Sequence, residues 1–226
     1  MARIHWHEGR DLLTRTVVPG VVLWLVVVGA GLLVTGPLSV IDHKEDRISA
    51  DFNRFRNDTL DPVSAVFSHV GNTEYVIAIC LVAVGILYWR TRDLRWSVVP
   101  LVAISLQALI FLFATIAVGR QRPPAIPMDA SPPTSSFPSG HTGAATGLYF
   151  TLALMALRIR QPALRRVVMT VCVAIPLLVA TARLYRGMHH VSDVLVAIVN
   201  GALAALLAWC WLRRSESRGE VDQTRA

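Results

Sequence analysis

Two short polar segments stand where very apolar stretches meet polar loops: Pro138-Ser139-Gly140-His141, and the spaced set Arg183, His189 and Asp193. The last two are four residues apart at the start of an apolar run, a spacing that stacks them on one helix face, one turn apart. A carboxylate there accepts the Nδ1 proton of the imidazole and leaves Nε2 with a free lone pair, an oriented nucleophile or base. The plainer alternative is a capping salt bridge between a surface His and Asp. His190, next door, points elsewhere and reads as polar surface.

Ser139, Gly140 and His141 sit between a proline and an apolar run, as at a helix N-terminus. Unpaired N–H groups and the positive end of the helix dipole attract a phosphate oxygen there. Gly140 lets the backbone approach closely, Ser139 adds a hydroxyl donor, and His141 can give a proton to a departing oxygen. Arg122 and Arg183 supply planar, permanently charged forks that match phosphate oxygens, and Arg120 and Arg186 are weaker candidates for the same anion site. Taken singly, the serine is an ordinary N-cap and each arginine a topology signal. One mechanism uses them all: His189 attacks phosphorus, the arginines and the helix N-terminus hold the equatorial oxygens, and His141 protonates the leaving group and then activates water. Guanidinium groups supply the positive charge, and no acidic cluster is expected on the same face, so neither a metal nor a cofactor is expected.

The elements that must position these groups are membrane-spanning helices. The chain has 226 residues, 54% of them hydrophobic and 16% charged. A spanning helix needs about 20 mostly apolar residues. Six stretches qualify, at 17–35, 75–89, 96–118, 142–157, 167–182 and 191–212, the second and fourth being short enough to need an extra turn. The expectation is an all-α integral membrane bundle of six transmembrane helices forming a single domain over 1–226, with a tail at 1–16 and another at 213–226. The first span is long and lacks a small-x-small cleavage site, so it reads as permanent rather than as a removed signal.

Lys and Arg set the orientation. Fourteen fall in the two tails and in the loops after the second and fourth spans; eight fall on the opposite side, among them Arg120, Arg122, Arg183 and Arg186. Both termini are therefore expected in the cytoplasm, with both polar segments on the outward face. The net charge of +7 belongs to helix ends rather than to a nucleic-acid stripe. Cys80, Cys172 and Cys210 all lie within spans, where a small apolar role is expected and no disulfide.

Two outward loops flank the site. In the first, 36–72, Ile48, Phe52, Phe55 and Leu60 recur at helical spacing among charges, which fits either an interfacial amphipathic helix or a solvated connector. The other, 120–139, holds Pro123, Pro124, Pro127, Pro132, Pro133 and Pro138 and is expected to be stiff and non-helical, a lid or wall beside the site.

The strings GRQRPP at 119–124, SFPSGH at 136–141 and ARLYRGMHHVSD at 182–193 resemble the three signature motifs of the type 2 phosphatidic acid phosphatase superfamily, which also includes the vanadium haloperoxidases. The resemblance covers 119–193 by motif. It implies a membrane lipid phosphatase with His189 as nucleophile, Asp193 as its partner, His141 as general acid, and Arg122, Ser139, Gly140 and Arg183 on the phosphate. Two positions depart from the pattern: Thr115 stands where a Lys usually opens the first motif, and Ala182 stands where a Ser usually precedes the third motif's Arg. The compact chain and the outward site resemble enzymes that recycle undecaprenyl pyrophosphate in the plasma membrane; phosphatidic acid and phosphatidylglycerol phosphate come next. The competing class is a non-catalytic lipid-binding or transport protein on the same fold. Transporters, however, place polar groups near the midplane, whereas here they crowd one interface.

Overall fold

The computed structural model describes residue 14, residues 17–130 and residues 134–223, with side chains described as far as residue 212. The basic positions of the N-terminal tail, Pro132 and Pro133, and the side chains of the C-terminal tail lie outside the described residues. The described chain is all-α. Eight helices follow in order: α1 Val18–Thr35, α2 Val40–Arg54, α3 Leu60–Val70, α4 Thr73–Thr91, α5 Leu94–Val118, α6 Gly140–Ala156, α7 Pro162–Tyr185 and α8 Val191–Gln223.

Local sequence explains most of the boundaries. Pro19 and Pro162 stand in the first turns of α1 and α7, where a missing N–H costs nothing. Asp93 caps α5 by accepting from the N–H of Trp96 at 3.1 Å. Gly119 ends α5 with φ 63°, the left-handed turn that favours glycine. From there to Ser139 the described residues form no helix, as the prolines require.

α1, α4, α5, α7 and the 191–212 part of α8 are long and apolar enough to cross a membrane. Their outward side chains, such as Val26, Leu81, Ile116 and Val167, are exposed and apolar, as on a surface that faces lipid rather than water. The fourth expected span corresponds to α6. With 17 residues it is about 25 Å long, shorter than the others. It is also the innermost helix, packed against α5, α7 and α8, with Ala145, Leu148 and Thr151 fully buried. Small residues allow this close fit: a Cβ at Gly201 of α8 would lie 2.6 Å from the carbonyl oxygen of Gly143 and 2.8 Å from the N–H nitrogen of Gly147.

The first outward loop is two helices, α2 and α3, joined by an Asn57-centred turn in which the Asn57 side chain accepts from the N–H groups of Thr59 and Leu60 at 3.0 and 2.9 Å. α2 turns its polar side inward: Glu45 and Ser49 are buried while Ile48 and Phe55 are exposed. Its inward groups reach the start of α8, so the loop is a structural wall of the site.

Candidate active site

The site forms where α6 and α8 begin and α5 and α7 end. Ser139 holds the N-cap position of α6 with extended backbone, but its hydroxyl lies 3.0 Å from that of Thr142 rather than on the first-turn N–H groups. The first amides of α6 thus have no side-chain cap, and by helix geometry they have no intrahelical partner either. Gly140 sits tightly against α5: a Cβ there would stand 3.0 Å from the Phe111 ring.

His189 lies in the short connection between α7 and α8, not on the helix. Its expected bond to Asp193 is not made: Nδ1 is 3.8 Å from the carboxylate and instead donates to the carbonyl oxygen of Ser136 at 2.8 Å. The reason is geometric, because α8 begins only at Val191, so the one-turn stacking of positions 189 and 193 does not apply. The chemical outcome survives, since a carbonyl can only accept: Nδ1 carries the proton and Nε2 keeps its lone pair. Burial outweighs the nearby Asp193 charge and pushes the His189 imidazole below its ordinary range.

Asp193 is fully buried and works at one remove. One carboxylate oxygen accepts from the Ser136 hydroxyl at 2.5 Å and from the His190 N–H at 2.8 Å. The latter is the return half of a capping box at the start of α8. Ser136 therefore links Asp193 to His189, taking the carboxylate with its hydroxyl and the imidazole with its carbonyl. His190 is buried, contrary to the polar-surface expectation, and its Nε2–H donates to Asp46 at 3.2 Å.

Arg120 is engaged by Asp193 and by the acids of α2. Its Nη1 binds Asp193 and, at 2.7 Å, Ser192, while Nη2 binds Asp42 and, at 2.8 Å, Glu45. Burial works against the charge, but the carboxylates of Asp193, Glu45 and Asp42 prevail and hold this guanidinium more firmly charged than an ordinary arginine. The acidic groups of the first loop, expected to form no cluster on this face, do gather here. Glu45 also accepts from the N–H and hydroxyl of Ser192 at 2.7 and 2.8 Å, favourable at the positive end of α8. No group of acids, cysteines and histidines among the described residues is arranged to hold a metal ion.

Arg122 and Arg183 come to the histidines. Arg122 donates from Nη1 to the carbonyl of Met188 at 2.7 Å, next to His189, and burial lowers its pKa from the usual arginine value. Arg183 donates to the Ser68 hydroxyl and to Asp129, both at 2.7 Å. His141 lies within electrostatic reach of Arg183, His189, Asp129 and Arg122. The Nε nitrogens of Arg120, Arg122 and Arg183 are all buried without a hydrogen-bond partner among the described residues, and of these three charges Arg183 and Arg122 are the ones that act on the His189 ring. Buried N–H groups are rarely left so, and two such guanidiniums acting on an imidazole with a free Nε2 lone pair suit an anion. Arg186 instead clamps the proline-rich segment: Nε and Nη2 bind Asp129 at 2.9 and 2.6 Å, Nη1 reaches Ser64 at 3.1 Å, and Nη2 also holds the Met128 carbonyl at 3.1 Å.

Thr115 donates to the Phe137 carbonyl at 3.2 Å, tying α5 to the second motif with no charge. Sequence reasoning missed Ser136, Asp129, Ser68 and Asn72. Ser136 and Asp129 stand within or beside quoted motifs, whereas Ser68 and Asn72 belong to α3 and the start of α4 and carried no signal.

A bundle of apolar helices with paired histidines and arginines at one end has the build of a membrane phosphatase. The chain belongs to the PAP2 superfamily, whose family model matches residues 96–217. It is similar to the solved first transmembrane PAP2 type phosphatidylglycerolphosphate phosphatase from Bacillus subtilis, with 22% identity and a TM-score of 0.76 over 86% of this chain and 96% of that one. It is also similar to Aquifex aeolicus LpxE, with 20% identity and a TM-score of 0.54 over 72% of this chain and 93% of that one. Both likenesses are likenesses of fold. No curated protein matches the chain. By fold and family it is a multi-pass membrane phosphatase.

Proposed function

We propose that the protein hydrolyses a phosphomonoester or pyrophosphate on a lipid headgroup at the outer face of the plasma membrane, with six helices crossing and both termini in the cytoplasm. The observation that carries this reading is the His189 imidazole held with Nδ1–H on a carbonyl and Nε2 bare, within the field of two guanidiniums, Arg183 and Arg122, that each have an unpartnered N–H. Nε2 attacks phosphorus; Arg122, Arg183 and the uncapped amides of α6 stabilise the charge that develops on the phosphoryl oxygens; His141 protonates the leaving oxygen. Water then cleaves the phosphohistidine with His141 as base. Ser139, hydrogen-bonded to Thr142, reaches the phosphate through the α6 amides it precedes.

The favoured substrates are a polyprenyl pyrophosphate, phosphatidic acid and phosphatidylglycerol phosphate, the last supported by the Bacillus subtilis relative. The test is phosphate release from these three lipids by purified protein in detergent with a chelator, alongside His189→Ala. Release that disappears in the variant supports the reading and ranks the lipids. Release that persists in His189→Ala, or that needs an added divalent ion, refutes the mechanism; no release from any lipid favours the non-catalytic class.

A further inference from the structure

Asn72 occupies the N-cap of α4, with extended backbone at φ −62° and ψ 143°. An asparagine in that position ordinarily turns its side-chain oxygen onto the N–H groups of the first helical turn. This one makes no capping bond; its Oδ1 accepts from His141 Nε2 at 2.7 Å, joining the start of α4 to the start of α6. A local preference set aside with no local gain is characteristic of residues held for a site. An amide oxygen can only accept, so Nε2 of His141 carries a proton and Nδ1 is left with the exchangeable position. His189 has the opposite arrangement, Nδ1–H on a carbonyl and Nε2 bare.

We infer that Asn72 is a positioning residue for His141, fixing its tautomer so that protons pass to and from the substrate through Nδ1. The inference rests on the phosphatase reading above and adds a residue to it. In the first step His189 Nε2 forms its bond to phosphorus as the bond to the leaving oxygen breaks, and the Nδ1 proton of the His141 imidazolium moves to that oxygen. In the second, the Nδ1 lone pair takes a proton from the attacking water as the P–N bond breaks, which restores the imidazolium. The ionisable groups facing His141 are Arg183 from α7, His189 from the connection to α8, and Arg122 and Asp129 from the proline-rich segment. Asn72, from α4, orients the ring without adding charge.

The experiment compares wild type, Asn72→Ala and Asn72→Asp as full-length chains in detergent. It measures phosphate release from phosphatidic acid against pH, and the ring-nitrogen shifts of 15N-labelled histidine by NMR. Because the Asn72 side chain caps nothing and only its bond to His141 is lost, Asn72→Ala is expected to lower the melting temperature by no more than a few degrees while kcat falls roughly ten- to a hundredfold with little change in KM. Asn72→Asp is expected to recover most of kcat and to move the basic limb of the profile up by about one pH unit or more, since a neighbouring carboxylate favours the imidazolium. In the NMR spectrum His141 is expected as the Nε2–H tautomer in wild type and as a mixture in Asn72→Ala. The inference is overturned by an unchanged kcat and pH profile in Asn72→Ala, by a loss that Asn72→Asp does not relieve, or by an Nδ1–H tautomer in wild type. The tautomer is read whether or not lipid turns over, whereas phosphate release that survives His189→Ala would overturn the phosphatase mechanism itself.

Discussion

Replacing Arg120 by leucine separates two roles that the same residue could have. In the structure it is the counter-ion for a buried carboxylate group: its own side chain is 3% exposed, that of Asp193 0%, Glu45 8% and Asp42 31%. Removing one partner of a buried ion pair leaves uncompensated charge and costs about 3–5 kcal/mol. Asp42, partly in solvent, adds little to that figure, so Asp193 and Glu45 dominate it. For a chain of this size each kcal/mol moves the melting temperature by about 2–4 °C, so Arg120→Leu should melt roughly 6–20 °C lower in detergent. Activity should fall in kcat rather than rise in KM, because loosening Asp193 loosens Ser136 and with it the His189 ring. Adding Glu45→Gln should restore part of the stability, with a coupling of about 0.5–3 kcal/mol in the double-mutant cycle. An unchanged melting temperature together with a KM raised about tenfold would refute this reasoning and put Arg120 on the substrate phosphate.

Two further outcomes follow from the charged groups outside the helices. In the proposed mechanism the neutral imidazole of His189 is the nucleophile, and burial pushes its pKa down from 6.5, so activity should be retained as pH falls to 6.5 and lost only below it; an acidic limb of kcat/KM at or above 6.5 would contradict the assignment. Asp129 is held ionised below the usual carboxylate range because Arg186, Ser68 and Arg183 outweigh its burial. It occupies a donor of Arg183 that a phosphate could use, so Asp129→Asn should strengthen inhibition by inorganic phosphate by about tenfold, or 1.4 kcal/mol. Unchanged or weaker inhibition would show that Asp129 orients Arg183 instead of competing for it.

The sequence by itself determined what short-range physics can encode. Hydrophobic length marks α1, α4, α5, α7 and α8 as helices able to cross a bilayer, and the prolines of 120–139 forbid a helix whatever surrounds them. Residue chemistry nominated His141, His189, Arg122 and Arg183 because few side chains attack or hold phosphorus. Only the tertiary structure decided how these groups are wired. Position 189 falls before α8 instead of on it, which a boundary shift of two residues decides, and so its partner is Ser136, 53 residues away. Arg120 and Arg122, two apart in one motif, take different partners: Arg120 binds Asp193, Ser192, Glu45 and Asp42, and Arg122 the carbonyl of Met188. Asn72, Ser68, Asp42 and Glu45 had no signal at all, since their roles depend on which elements α2, α3 and α4 are packed against. Contacts across such separations are set by the packing of the whole bundle, and no local pattern in the chain records them.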